Sequence, residues 1–338
     1  MTSSVPSFTL LADLASARVG GKAIAANDDF FAPRSNLVKS SAPVFIPGKY
    51  TSRGKWMDGW ESRRRRTPGH DWCVVSLGMR GVIRGVDVDT THFNGNQPSH
   101  CTLDALDTKT PPNRSVFPVE GAPWTQVLGP SPLDATSHNF FPVADRRPWT
   151  HVRLNIFPDG GVARLRVHGD VAVDWNRIRR ERRAVDLASI LNGGLVLGAS
   201  DMHFGAKDNL IMPGRAATMG EGWETRRRRG EGYDWVVVRL GTPGSIARVE
   251  IDTRHFKGNY PESASLEACL SPGAALDAVL SATTTWRELL QRVRLEPAHR
   301  HFFSKELVDI GPVSHVRLNI FPDGGISRLR IHGHVARD

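Results

Sequence analysis

The sequence predicts a mainly β chain made of two tandem jelly-roll β-sandwich domains that arose by internal duplication. Three observations carry this. First, a long segment is read twice, in order: DDFFAPRSNL from Asp28 returns as DMHFGAKDNL from Asp201, GWESRRRR from Gly59 as GWETRRRR from Gly222, VDVDTTHFNGNQP from Val86 as VEIDTRHFKGNYP from Val249, and HVRLNIFPDGGVARLRVHG from His151 as HVRLNIFPDGGISRLRIHG from His315. A period this long exceeds the roughly 20 to 50 residues of a solenoid unit and marks a duplicated domain. Second, apolar residues alternate with polar ones at period two in several short stretches, the pattern of half-buried strands. Third, Gly and Pro are frequent but dispersed, as turns between many strands require. The copies are expected over residues 11–176 and 177–338, each long enough for a core of ordinary depth.

Within a copy the elements follow from local pattern. Each opening, through Gly20-Gly21 and Gly193-Gly194, reads as a short helix, a Gly-Gly stop and a short apolar strand. A loop with Asp28 or Asp201 follows. Trp72 to Leu77 and Trp235 to Leu240 are continuous apolar runs that read as core strands ended by Gly78 and Gly241. Next, Val86 and Val88 alternate with Asp87 and Asp89, and Val249 and Ile251 with Glu250 and Asp252, which places the acids of each strand on one face. In the closing unit Val152, Leu154 and Ile156 alternate with polar residues, Pro158-Asp159-Gly160-Gly161 turns the chain, and Leu165 and Val167 alternate with Arg164, Arg166 and His168. That reads as a hairpin with an apolar face and a basic face. Antiparallel alternation with few helices points to two packed sheets. Jelly roll is favoured over an immunoglobulin-like sandwich because no Cys and Trp framework is present.

The formal net charge is +9, from 44 Lys and Arg against 35 Asp and Glu. The excess is concentrated in Arg63 to Arg66, Arg226 to Arg229 and Arg177 to Arg183, and no aromatic-interleaved platform accompanies it. Nucleic acid is therefore not the expected partner. Arginine without lysine suits bidentate recognition of carboxylates, or structural ion pairs; the 177–183 run is expected to be a solvated stretch between the copies. The three cysteines, Cys73, Cys101 and Cys269, are odd in number, and Val236 stands opposite Cys73 in the other copy. Reduced thiols in a cytoplasmic protein are expected. No apolar run approaches a membrane span, and a symmetric homo-oligomer is the general expectation.

Residues kept in both copies are candidates for chemistry. In D-T-x-H-F-x-G-N, Asp89 and His92, or Asp252 and His255, could place a carboxylate and an imidazole at one sheet rim to bind a divalent ion or move protons. The plainer reading is that Asp caps a turn and His packs beneath the Gly-Asn loop. In G-W-E-[ST]-R-R-R-R an extended chain turns Arg63 and Arg65 one way and Arg64 and Arg66 the other. Glu61 beside them is a general base or a guanidinium counter-ion. Asn36 and Asn209 are also kept, whereas Asp29 and Met202, and Phe30 and His203, diverge. The basic face of Arg153, Asn155, Arg166 and His168 reads as an ordinary outer sheet face. Neither a G-x-S-x-G elbow, an H-E-x-x-H pair nor a P-loop occurs.

These doubled strings resemble the allantoicase (allantoate amidinohydrolase) family over about Leu11 to His332. The resemblance implies a repeated jelly roll related to galactose-binding-like domains, which hydrolyses allantoate to ureidoglycolate and urea in purine breakdown. It implies that Arg63, Arg65, Arg226 and Arg228, with Asn36 and Asn209, bind the substrate. Asp28, Glu61 and His92, and Asp201, Glu224 and His255, become the acid–base candidates, with His203 as a further one unmatched in the first copy. A divalent metal such as manganese could polarise a ureido oxygen, with Asp89, His92, Asp252 and His255 as candidate ligands; the sequence does not demand one. A single site between the copies is favoured over two independent ones, because ligand sites favour domain interfaces and the divergence of Asp29 and Met202 suits one asymmetric pocket. The rival readings are a tandem carbohydrate-binding or scaffolding protein, disfavoured because Trp72 and Trp235 sit in core contexts, and a hydrolase acting on ureidoglycolate.

Overall fold

The computed structural model describes residues 5–108 and 121–337. The chain divides into two compact units, Met1–Ala172 and Val173–Asp338. The first contains β1 (Ala12–Asp13), β2 (Lys22–Ala26), β3 (Tyr50–Thr51), β4 (Gly54–Lys55), β5 (Trp60–Glu61), β6 (Asp71–Asp89), β7 (His100–Leu106), β8 (Thr125–Pro132), β9 (His138–Pro142), β10 (Pro148–Phe157), β11 (Gly161–Val162) and β12 (Arg164–Val171). The second opens with helix α1 (Trp175–Glu181) and repeats the plan as β13 (Val185–Asp186), β14 (Leu195–Ala199), β15 (Trp223–Glu224), β16 (Asp234–Asp252), β17 (Ser263–Cys269), helix α2 (Leu276–Leu280), β18 (Arg287–Arg294), β19 (Arg300–Phe303), β20 (Val313–Phe321), β21 (Gly325–Ile326) and β22 (Arg328–Val335). Each unit is a β-sandwich, and the mainly β, duplicated fold is as the sequence predicts.

Long central strands organise both units. The first half of β6 lies between β2 and β10, with Ser76 opposite Lys22 on one side and His151 on the other. Its second half lies between β9 and β12, with Asp89 opposite His138 and Arg164. One strand therefore serves both layers, and β16 does the same between β14 and β20, then β19 and β22. Leu103, Leu154, Ile156 and Leu165 fill the first core and Leu266, Leu318, Ile320 and Leu329 the second, all fully buried. Fully burying one such side chain contributes ~1.5–3 kcal/mol.

Three local expectations are corrected by this topology. The apolar run from Trp72 does not end at Gly78, because β6 continues to Asp89. Gly78 is there for close approach: a Cβ would lie 2.4 Å from the Val19 carbonyl oxygen, and at Gly241 1.7 Å from that of Asn192. The expected opening helix is only a 3-10 turn, Ala17–Val19 or Ile190–Asn192, stopped by left-handed Gly20 or Gly193. Nor is the closing unit a hairpin. β10 pairs with β6 and β7, β12 pairs with β6 and β1, and the Pro-Asp-Gly-Gly segment carries the chain across rather than back.

The face of Arg164 and Arg166 is covered, not outer. Arg164 is fully buried. It donates to the carbonyls of Ser41, Asp58 and Ala163 at 3.0, 2.7 and 2.7 Å and to Asp58 Oδ2 at 2.7 Å. Arg166 donates to the Lys39 and Ser40 carbonyls. The pair pins the loop after Val38 onto β12. Arg328 and Arg330 do the same to the carbonyls of Asn209, Met212, Gly214 and Glu221. Arg153 reaches Asp104 at 2.8 Å, where Asn155 also donates. The 177–183 arginines fall mostly in α1, which Asp174 caps by accepting from the Arg177 N–H.

Candidate active site

Both units build the same constellation on the two-residue strand that carries the Trp-Glu pair. Trp60 and Trp223 are fully buried, and each indole N–H donates to the carbonyl of Asp28 or Asp201 at 2.8 Å. This fixes the loop after β2 or β14 against β5 or β15. The adjoining Gly-Gly turn locks the other side. Gly160 and Gly324 sit at φ 136, and a Cβ at Gly161 or Gly325 would lie within about 2 Å of the buried Phe93 or Phe256 ring. Only glycine fits both demands. Asp159 and Asp323, from the same turns, accept the N–H of Arg65 and Arg228 at 2.8 Å. The turn therefore seats the arginine segment.

Asp28 and Arg63 meet at the rim. Asp28 Oδ1 accepts the N–H groups of Phe30 and Arg63 at 3.0 and 3.2 Å, and Oδ2 accepts Arg63 Nε at 2.7 Å. Burial pushes the Asp28 carboxyl up, but the hydrogen bonds from Phe30 and Arg63 outweigh it and hold the group below the usual carboxylate range. Asp201 repeats the pattern with His203 N–H, Arg226 N–H and Arg226 Nε at 3.0, 2.8 and 3.0 Å, and its carboxyl is likewise lowered against burial. Arg63 and Arg226 remain exposed, at 63% and 67% of the side chain, with both Nη groups free.

The second predicted pair of arginines does something else. Arg65 donates through Nη2 to buried Asp71 at 2.7 Å, and Arg228 donates to buried Asp234. Their strong anchoring is structural. Arg64, Arg66, Arg227 and Arg229 are exposed and have no partner among the described residues. Asn36 and Asn209 are also structural: buried, they donate to the Gly59 carbonyl at 2.9 Å and the Gly222 carbonyl at 2.7 Å.

Glu61 lies next to this rim, its Oε1 accepting Asn96 Nδ2 at 2.8 Å. Burial raises its carboxyl above the usual value despite the Asn96 hydrogen bond and the charge of Lys55. Asn259 donates to Glu224 in the same way. Asn96, Asn259, Asp159 and Asp323 also belong to the candidate constellation and were passed over by motif reading, although all four are kept between the copies. In the second unit the constellation lines two adjoining depressions that share Arg227 and Arg228. One, of about 580 Å³, includes Glu224, Asn259 and Asp323; the other, of about 360 Å³, includes Asp201, Arg226 and Arg229.

The D-T-x-H segment takes the plainer form. Asp89 and Asp252 are buried, and each accepts a nearby N–H, of Thr91 or Arg254, at 2.8 Å. His92 and His255 adopt left-handed φ values of 70° and 74°. Their Nε2 atoms face the carbonyls of Pro43 and Ala216 at 3.3 and 2.9 Å, in the loops pinned by the buried arginines. His203 occupies the Phe30 position, exposed and edge-on to Phe204. Among the described residues, no group of three or more His, Cys, Asp and Glu side chains is placed to hold a metal ion. The Asp89–His92 and Asp252–His255 pairs are engaged with the chain's own backbone and do not fit a divalent ion.

A family model described as the allantoicase repeat matches residues 12–172 and again 185–336. The chain belongs to the allantoicase family. A probable allantoicase of Pseudomonas aeruginosa (strain LESB58) is 48% identical over 326 residues, covering 95% of each chain. Probable allantoicase 1 of Burkholderia mallei (strain ATCC 23344) is 46% identical over 331 residues, covering 98% of this chain and 96% of its own. The crystal structure of allantoicase from Saccharomyces cerevisiae superposes with a TM-score of 0.81 at 32% identity, covering 96% of this chain and 93% of that one. Both allantoicase repeats thus carry the Asp–Arg and Glu–Asn pairs described above. No helix among the described residues is long and apolar enough to cross a membrane.

Proposed function

We infer that this chain is an allantoicase that hydrolyses allantoate to ureidoglycolate and urea. The observation that carries the residue-level reading is the pairing, on one short strand and its flanking loop, of an exposed half-satisfied arginine with a half-buried glutamate. Allantoate has a carboxylate on a carbon that also bears two ureido groups. The free Nη edge of Arg63, held out by Asp28, suits bidentate binding of that carboxylate. Arg226 and Asp201 form the equivalent in the second unit.

Hydrolysis breaks the bond from the central carbon to one ureido nitrogen. The electron pair goes to that nitrogen, which takes a proton to leave as urea, and water supplies the hydroxyl that replaces it. Glu61, raised by burial, supplies the proton in its acid form and recovers one from water, with Asn96 orienting the carboxyl. Cytoplasmic location and a homo-oligomeric state belong to this same reading.

The test is urea release from allantoate by the purified chain, with allantoin and ureidoglycolate in parallel, before and after chelation and manganese addition. Rapid release from allantoate is expected. No turnover of any of the three by folded protein would overturn the enzyme reading in favour of a tandem binding module. Loss on chelation with recovery on manganese would show that the reaction needs a metal.

A further inference from the structure

The first unit differs from the second by an added hairpin. Between Leu37 and Trp60 it carries ten residues more than the second carries between Leu210 and Trp223. Within this longer segment β3 and β4 pair, joined by Ser52 and Arg53. Thr51 Oγ1 accepts the Arg53 N–H at 3.1 Å, and Gly54, at φ 132, backs onto the Phe31 ring. That placement aims Arg53 at the candidate site. Its guanidinium carbon is 5.1 Å from the centre of the Phe30 ring, and Nη1 donates to the Phe30 carbonyl at 3.0 Å. The Arg63 guanidinium lies 5.2 Å from the same ring centre.

One partly exposed aromatic ring thus carries two arginines from different segments. Arg63 is neutralised by Asp28 through Nε, whereas Arg53 has no carboxylate partner among the described residues. Each keeps donors free, Nε and Nη2 on Arg53 and both Nη groups on Arg63. Two guanidinium groups from separate segments concentrate donors around one ring, an arrangement that suits an anionic ligand. The aromatic face lowers the cost of holding them there. The second unit has neither the hairpin nor the ring, since His203 stands in place of Phe30.

We propose that Arg53 is a specificity-determining residue which, with Arg63 on the Phe30 ring, binds the carboxylate-bearing end of the substrate, making the first unit the one that holds allantoate for reaction. The inference rests on the allantoicase reading and adds to it a residue and a choice between the two repeats. The test is steady-state urea release by the full chain carrying Arg53→Ala or Arg53→Lys, with unfolding curves alongside. Arg53→Ala should raise KM for allantoate about tenfold, leave kcat within about threefold, and unfold as the wild type does. Arg53→Lys should recover most of the KM. Should Arg53→Ala prove unstable, Arg53→Gln keeps the stem and makes the same comparison. Wild-type turnover with an unchanged KM in these variants would overturn the role of Arg53 alone. Absence of wild-type turnover would overturn the allantoicase reading, and this inference with it.

Discussion

The Asp28 carboxylate holds Arg63 by its Nε, at 2.7 Å, and leaves the Nη edge facing outward. Two positions along, Arg65 is held by both Nε and Nη2 on the buried carboxylate of Asp71. The same residue type, in one tetrad, thus has an exposed member held by one nitrogen and a member locked onto a buried carboxylate.

Arg63→Ala and Arg65→Ala should therefore fail in different ways. Removing Arg63 should raise KM for allantoate about tenfold or more while stability changes by less than about 0.5 kcal/mol. Removing Arg65 takes the cation from buried Asp71 and leaves it the Asn27 amide as donor at 2.8 Å, which should cost about 3 kcal/mol. Steady-state kinetics and urea denaturation of both variants decide it; equal loss of stability would remove the distinction.

Glu61→Gln should lower kcat by at least about 100-fold with little change in KM. In the wild type, kcat/KM should decline as pH rises through the raised Glu61 pKa, because the acid form gives the proton; the variant should lack that limb. Stability should fall in the same direction. A carboxyl whose folded pKa is raised contributes most below its unfolded value and loses that contribution as pH rises through the folded one. At neutral pH the variant should be at least as stable as the wild type. Glu224→Gln should keep more than half the activity if the first unit holds the reacting substrate, whereas equal losses would show two equivalent sites.

Asp28 has the opposite linkage. Its folded pKa is lowered, so its contribution is present above the unfolded value and disappears as pH falls through the folded one. Asp28→Asn should destabilise the chain at pH 7 but match the wild type in strong acid. Denaturant midpoints at the two pH values check this, and a constant difference would contradict it.

His92 is placed as a tie rather than a reactant. His92→Asn, which tolerates a left-handed backbone, should retain activity, while His92→Val should cost ~1–3 kcal/mol through strain at φ 70. Inactive but stable His92→Asn would return this imidazole to the chemistry.

Much of the fold was legible in the sequence because duplication and period-two patterning are local or comparative signals. The strings around Trp60 and Trp223, kept twice, drew attention to the strand and loop on which the candidate site is built. The apparent hairpin of His151 to Gly169 was not, because strand pairing depends on what lies between strands: β6 comes from far upstream and inserts between β10 and β12. The division of the arginine tetrad was equally hidden, since Asp28, 35 positions before Arg63, and Asp159, 94 positions after Arg65, reach these residues only once the sandwich forms.

The sequence by itself determined the duplication, the β class, the family and the short list of kept acids and arginines. Tertiary structure alone decided which of those side chains keep donors free for a ligand, which sit buried on carboxylates and carbonyls, and that Arg53 shares a ring with Arg63. Residue type and period constrain the face on which a side chain stands. Its charge is left available or cancelled only by partners that folding brings from distant parts of the chain.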